Sequence, residues 1–240
     1  MNVYENKNLF DTLKNNDYPG RGLVIGCTDD KKYAVAAYFI MGRSENSRNR
    51  VFVAENENVT IYPFDESKVE DPSLIIYSPL KVYKNRLIVT NGDQTDTVCD
   101  GLKKGVSFSE SLKTREFEPD CPNFTPRISG ILNFNNGYFD YEMSILKSSD
   151  SLGTACDRYL FSYSPVKGTG HFISTYNCNG NPIPSFTGEP LRVGISGNIS
   201  SFTENLWDSL NKDNKVSLLV RYIKLSDMSY ETKIINKNSR

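Results

Sequence analysis

The sequence has a single histidine, His171, and a single tryptophan, and its five cysteines (Cys27, Cys99, Cys121, Cys156 and Cys178) are widely spaced and odd in number. No C-x-x-C pair occurs, so a zinc site of the usual ligand spacing is not expected, and the thiols read as reduced and mostly buried. The N-terminal stretch MNVYENKNLF has no basic start leading into an apolar run. Nowhere does the chain approach the roughly 18 apolar residues needed to cross a bilayer. A cytoplasmic location without membrane attachment is therefore expected. Neither sign of charge dominates: 28 Lys and Arg stand against 29 Asp and Glu, a net charge of -1. That balance argues against a nucleic-acid binder but leaves room for a local clamp on one phosphate. Also missing are the G-x-S-x-G elbow, the Walker loop, H-E-x-x-H and G-x-G-x-x-G. No metal and no organic cofactor is expected.

Apolar residues make up 38% of the 240, and 14 Tyr and 13 Phe suit pleated sheet surfaces. A short helix is expected within residues 4–16, ended by Asp17-Tyr18-Pro19-Gly20. Strands follow at 22–28 and 33–41 as a hairpin, then at 51–56, 59–64, 74–83 and 86–91. Asp93 is placed to cap a helix running to Lys104, and Ser107 with Glu110 predicts a second helix over 107–116. Strands return at 127–134, 138–147, 158–166, 171–177 and 191–196, with Gly168-Thr169-Gly170 as a hairpin tip. A helix over 201–211 and a strand over 216–225 complete the order, and the tail from Glu231 reads as loosely held. This order is not βαβ alternation. It predicts an α+β protein, two mainly antiparallel sheets packed face to face with helices outside.

Four segments carry groups suited to chemistry. In Tyr18-Pro19-Gly20-Arg21-Gly22, glycines let backbone approach a ligand and Arg21 adds a fixed charge; a plain helix-to-strand turn is the alternative. Gly42–Arg50 holds Arg43, Arg48 and Arg50 with Ser44 and Ser47, donors that match phosphate oxygens; an exposed loop with Glu45 pairing one Arg is the other reading. The prolines of Pro122–Gly130 stiffen a loop bearing Asn123, Thr125 and Arg127; a plain strand entry is the reading the segment favours by itself. Asn91–Thr97 opens a helix, where a cap competes with anion binding. His171 invites a general-base role by its ordinary pKa, but its neighbours alternate as in a strand.

Taken in order, YPGRG (18–22), GRSENSRNR (42–50), the tyrosine of LIIY (74–77), NGDQTDT (91–97), NFTPRISG (123–130) and ISTY (173–176) resemble the archaeal-type IMP cyclohydrolase family. The resemblance implies an αββα four-layer sandwich of the N-terminal-nucleophile-hydrolase type, without that fold's autocatalytic nucleophile. It implies one domain over 1–240, with residues 1–17 an N-terminal extension and a C-terminal half longer than in archaeal members. The implied reaction is closure of formylated aminoimidazole carboxamide ribotide to IMP with loss of water. Its implied partner is a small purine ribotide, with no nucleic acid and no membrane, and a homo-oligomer stays open. Under the resemblance Arg43, Ser44, Asn49 and Arg50 clamp the phosphate with Arg21 close by. Tyr77 donates to, or shuttles a proton at, the formyl oxygen; Asn123, Thr125 and Arg127 bind heterocycle or ribose, Asn91 also binds substrate, and Glu118 orients the carboxamide, with Tyr77, Glu118 and Arg21 the catalytic set. Two other readings remain: an amide hydrolase of the same fold, with Cys27 the thiol nearest its nucleophile position, and a non-catalytic purine nucleotide-binding protein.

Overall fold

A computed structural model of the chain describes residues 4–69 and 76–238. Long β-branched and aromatic runs form the strands. The first sheet contains β1 (Arg21–Cys27), β2 (Tyr33–Met41), β10 (Thr169–Ser174), β11 (Leu191–Gly194), β12 (Lys215–Lys224) and β13 (Tyr230–Asn236). Its order is β11-β10-β1-β2-β12-β13, and every pairing is antiparallel. The second sheet takes the middle of the chain in sequence order: β3 (Val51–Glu55), β4 (Asn58–Tyr62), β5 (Leu80–Tyr83), β6 (Arg86–Thr90), β7 (Arg127–Asn135), β8 (Tyr138–Ser148) and β9 (Cys156–Tyr163). Because β1 and β2 are buried on both faces, they read as continuous apolar runs rather than as alternation.

One core lies between the sheets, where Leu23, Ile25, Tyr38 and Ile40 meet Val89, Ile128, Leu132 and Met143. A second lies on the outer face of the first sheet, under α1 (Leu9–Lys14) and α5 (Ile199–Ser209). A third sets α3 (Gln94–Lys103) and α4 (Phe108–Leu112) on Ile88 and Ile131 of the second sheet. The layers thus run helix, sheet, sheet, helix, as expected. In α1, Asn8 caps the start by accepting from Phe10 N and Asp11 N, and Leu9 and Leu13 point into the outer core.

Several expectations need correction. The tail is not loose: β13 pairs with β12 over Ser217↔Asn236 to Ile223↔Tyr230. Asn236 also bonds both Phe52 N (2.9 Å) and Phe52 O (3.0 Å), so the end of this strand grips the other sheet. Gly168–Gly170 is no hairpin tip, because β9 and β10 belong to different sheets: residues 164–168 cross between them, and Thr169 and Gly170 already pair within β10. The helix after Ser107 ends at Leu112, four residues early, and the chain then runs irregularly to Glu118. Asp93 precedes α3 without a side-chain cap bond. The strand expected over 74–83 is regular only from Leu80, beyond Pro79, while Leu74 and Ile75 lie outside the described residues. Cys121 and Cys178 are exposed, so only Cys27 and Cys99 are fully buried thiols.

Candidate active site

At one end of the sandwich β2 and β6 finish while β1, β3 and β7 begin. Their junctions surround a cavity of about 630 Å³. It is lined by Arg21, Arg43, Ser44, Arg50, Tyr77, Asn91, Glu118, Asn123, Thr125 and Arg127, ten of the eleven residues the sequence singled out. Asn49 does not line it. Its amide instead bonds Asp65 O (2.8 Å) and accepts from Asp65 N (2.7 Å), which ties the loop after β2 to the segment after β4.

The floor is built from both sheets. Tyr77 is buried just ahead of Pro79, and its carbonyl accepts from Ile61 N, so the ladder holds the residue even where the strand is broken. Its hydroxyl lies 3.1 Å from that of Tyr38, a fully buried side chain of β2. Burial pushes the Tyr77 phenol up, against the pull of Arg50, the Tyr38 bond and Arg21. The reduced pKa that a proton shuttle would use is therefore not what this environment produces; at neutral pH Tyr77 is a donor.

Arg50 is buried, and its Nε has no partner among the described residues. Burial and the neighbouring charge of Arg21 both push its pKa down. Arg21 reaches Met41 O through Nη1 (3.4 Å). Burial also opposes its charge, but Tyr18, Tyr38, Tyr77 and Glu118 outweigh that and hold its pKa above the ordinary value. Glu118, partly buried, feels the opposite balance: desolvation raises its pKa although Arg127, Arg21 and Arg50 pull it down. Two close cations and one carboxyl thus face a phenol that donates.

The side wall has the reverse polarity. The Thr125 hydroxyl donates to Asp120 Oδ2, and Asp120 Oδ1 accepts from Thr125 N (2.6 Å). A hydroxyl has one hydrogen, so the 2.6 Å contact between Thr125 and Tyr176 is donated by Tyr176. All three groups therefore turn only acceptor lone pairs toward the cavity. Gly20 makes this wall possible: at φ +75° it has no Cβ, which would meet the Tyr176 ring at 2.5 Å. The glycines of this turn serve close packing rather than exposing backbone N–H to a ligand.

Arg127 enters from the second sheet. Its Nη1 donates to Asp93 Oδ1 (2.7 Å) and to Gln94 Oε1 (2.8 Å), while its buried Nε has no partner among the described residues. A Cβ on Gly92 would lie 2.5 Å from that Nη1, so glycine is what admits the guanidinium. Burial raises the Asp93 pKa, but Arg127 and Arg115 outweigh it and keep it below the usual carboxylate range. Asn91 lines the cavity, yet its amide donates to Pro126 O (2.9 Å) and accepts from Ile128 N (2.8 Å), so it holds the start of β7 in place. Asn123 Oδ1 accepts from Ile183 N (3.1 Å).

The mouth is polar and exposed. Ser44 caps α2 (Glu45–Arg48), a single turn inside the expected loop, by accepting from Ser47 N (3.2 Å). Arg43 lies over the Tyr18 ring at 5.0 Å and donates to Asn179 Oδ1 (2.6 Å) and Gly180 O (2.9 Å). Tyr18 in turn stacks on Tyr176.

Two residues that the sequence raised only as alternatives lie away from the cavity. His171 is remote from the cavity, in β10, where it accepts from or donates to the Tyr141 hydroxyl at 2.7 Å and stacks on Tyr163 at 3.6 Å. Cys27 is buried at the far end of β1, where burial pushes its thiol pKa up and away from reactivity. The sequence reading missed Tyr38, Tyr176 and Asp120. Tyr176 stood in a motif it had noted and Asp120 beside one; Tyr38 stood in an apolar strand and gave no signal.

The model of the IMP cyclohydrolase-like protein family matches residues 18–228. The chain belongs to this family. An IMP cyclohydrolase of Methanococcus aeolicus is 32% identical over 166 residues, 67% of this chain and 75% of the relative. One from Methanococcus maripaludis is 34% identical over 165 residues, 65% of this chain and 79% of the relative. The IMP cyclohydrolase of Methanocaldococcus jannaschii is 33% identical over 126 residues, covering 52% and 61%. All ten cavity-lining candidates fall inside the span matched by the IMP cyclohydrolase-like family, and α1 falls before it.

Proposed function

We propose that this chain is an IMP cyclohydrolase that closes formylated aminoimidazole carboxamide ribotide to IMP with loss of water. The observation that carries the reading is the opposed polarity of one cavity: donors at the floor, acceptors on the side wall, and a further cation, Arg43, at the mouth. The substrate offers matching groups. Its phosphate suits Arg43 and Ser44 at the mouth. Ribose hydroxyls are donors and suit the acceptors of Thr125 and Tyr176, with Asn123 and Arg127 beside the heterocycle.

The reacting end then lies at the floor. Tyr77 donates to the formyl oxygen, and Arg21 and Arg50 stabilise the negative charge that builds there as the carboxamide nitrogen attacks the formyl carbon. Glu118 accepts the proton that the carboxamide nitrogen gives up. The new carbon–nitrogen bond turns the formyl oxygen into an alkoxide, which becomes a hydroxyl by taking up the proton that Glu118 received from the carboxamide nitrogen. That hydroxyl departs as water with a second proton, the one the former formamide nitrogen gives up as the carbon–nitrogen double bond forms, and IMP results. Since both reacting groups belong to one molecule, holding them in contact supplies much of the rate. Arg50, set beside Tyr77, belongs with the chemistry in this reading rather than with the phosphate clamp.

We further take residues 1–240 as one cytoplasmic domain, in which the extension 1–17 adds Leu9 and Leu13 to the core of the first sheet. No nucleic acid, membrane or cofactor takes part in the proposed reaction. The test is direct: purified protein with the formylated ribotide, followed by the absorbance change on IMP formation. A rate no faster than the uncatalysed closure would overturn it.

A further inference from the structure

Tyr38 has no contact with the cavity, yet it fixes how the cavity floor can act. Its side chain is fully enclosed between the sheets, with its ring beside Phe52 at 5.8 Å. Among the described residues its hydroxyl has one partner, Tyr77, at 3.1 Å. The two hydroxyls hold two hydrogens, and only one can lie between the oxygens. If Tyr77 donated inward, the Tyr38 hydrogen would be sealed in the core without an acceptor, an arrangement that folded proteins avoid. If Tyr38 donates, both groups are served, and the Tyr77 hydrogen is left to turn outward.

We propose that Tyr38 is a positioning residue which, by donating to Tyr77, aims the Tyr77 hydrogen at the oxygen of the bound substrate. The inference rests on the reading of Tyr77 as a donor to the formyl oxygen. The electrostatics agree in direction: burial raises Tyr77, while the nearby Arg50 and then the Tyr38 bond pull it down, as a donated bond must. A hydroxyl that accepts one bond also becomes a better donor of its own hydrogen. Tyr38 thereby supplies both direction and strength from a place that substrate never reaches.

The test is a double-substitution cycle in the intact protein, with IMP affinity as the check that each variant is folded. Tyr38→Phe should lower kcat about tenfold while KM and IMP affinity change less than about twofold. In the Tyr77→Phe background the same change should cost nothing further, because the group it aims is gone. Replacing Tyr38 by 3-fluorotyrosine keeps the bond and should keep at least half of the kcat. Should Tyr38→Phe not fold, Tyr38→Met takes its place in the cycle with the same expected split. An unchanged kcat in the hydroxyl-free variant, an equal loss in both backgrounds, or a loss in the fluorotyrosine protein matching Tyr38→Phe would each overturn the inference. A Tyr77→Phe enzyme with full activity would instead remove Tyr77 from the chemistry, a separate failure of the floor assignment.

Discussion

Replacing Tyr77 by Phe deletes one oxygen and leaves the ring between the sheets. Loss of one aimed donor costs about 10²–10³ in kcat, roughly 2.7–4 kcal/mol, and KM should move far less. Steady-state kinetics that show kcat within about threefold of the parent would exclude Tyr77 as the donor. Arg43 and Arg50 should part company. Arg43→Ala is expected to raise KM about ten- to a hundredfold with kcat kept, as loss of a phosphate contact does; Arg50→Ala should act chiefly on kcat. Equal effects of the two on KM would return Arg50 to the clamp. Glu118 titrates above the usual carboxylate range because burial penalises its charge. Its sign is then fixed: the folded state is favoured with the group neutral, and that stability is lost as pH rises through the folded pKa. Activity runs the other way, since the carboxylate is the working form. Glu118→Gln should therefore melt higher than the parent at neutral pH, lose activity, and lose the acid limb of the kcat profile; a variant that melts lower at neutral pH contradicts the desolvation account. Much of the cavity lining was legible before the fold was known: clustered Arg and Ser between apolar strands suggested an anion site, with an exposed loop as the other reading, and the family resemblance supplied Tyr77 and Glu118. Tyr38 was not, because its surroundings, YAVAAYFIM, describe a buried strand and nothing marks one hydroxyl among them. Asn49 and Asn91 were legible as polar residues at the right place, but not as residues whose amides are consumed by backbone.

Strands and the stacked arrangement were readable because β-branched and aromatic runs alternate with turn residues at short intervals. Helix limits were less so. The helix after Ser107 stops at Leu112 although the sequence allows it to continue, and the irregular run that follows is what brings Glu118 to the cavity. The last strand was hidden because its outward face is polar and its alternation weak, so that only pairing with β12 reveals it. Helix α1 is the clearest case of an element acting through packing alone. Leu9 is 1% exposed against the outer core. Leu9→Ala should cost about 2–5 kcal/mol of stability and leave KM and kcat unchanged below the melting temperature. A thermal melt unmoved by this substitution would mean that α1 is not integral to the domain.

His171 is the titration with most to say about the molecule as a whole. Burial, aided by Arg192, lowers its pKa from the ordinary 6.5 to about 4. A depressed histidine leaves stability intact above 6.5 and loses it as pH falls toward about 4, where the unfolded chain holds a proton that the folded one refuses. His171→Phe should flatten the decline of denaturation midpoints across that window, and an unchanged slope would show that other groups govern acid unfolding. The arrangement of the two sheets has a temporal side as well. The second sheet is one uninterrupted stretch of chain, whereas in the first sheet β2 takes as its neighbour β12, which begins at Lys215. As the protein is synthesised, the seven-stranded sheet can assemble early while β2 keeps an open, strongly apolar edge until β12, from Lys215 on, has emerged. Contacts of such separation form slowly, and an uncovered edge of this kind pairs readily with strangers. The sheet that carries Arg21 and Tyr38 is thus the last to close, and the nascent chain carries its greatest risk of aggregation just before the site first exists.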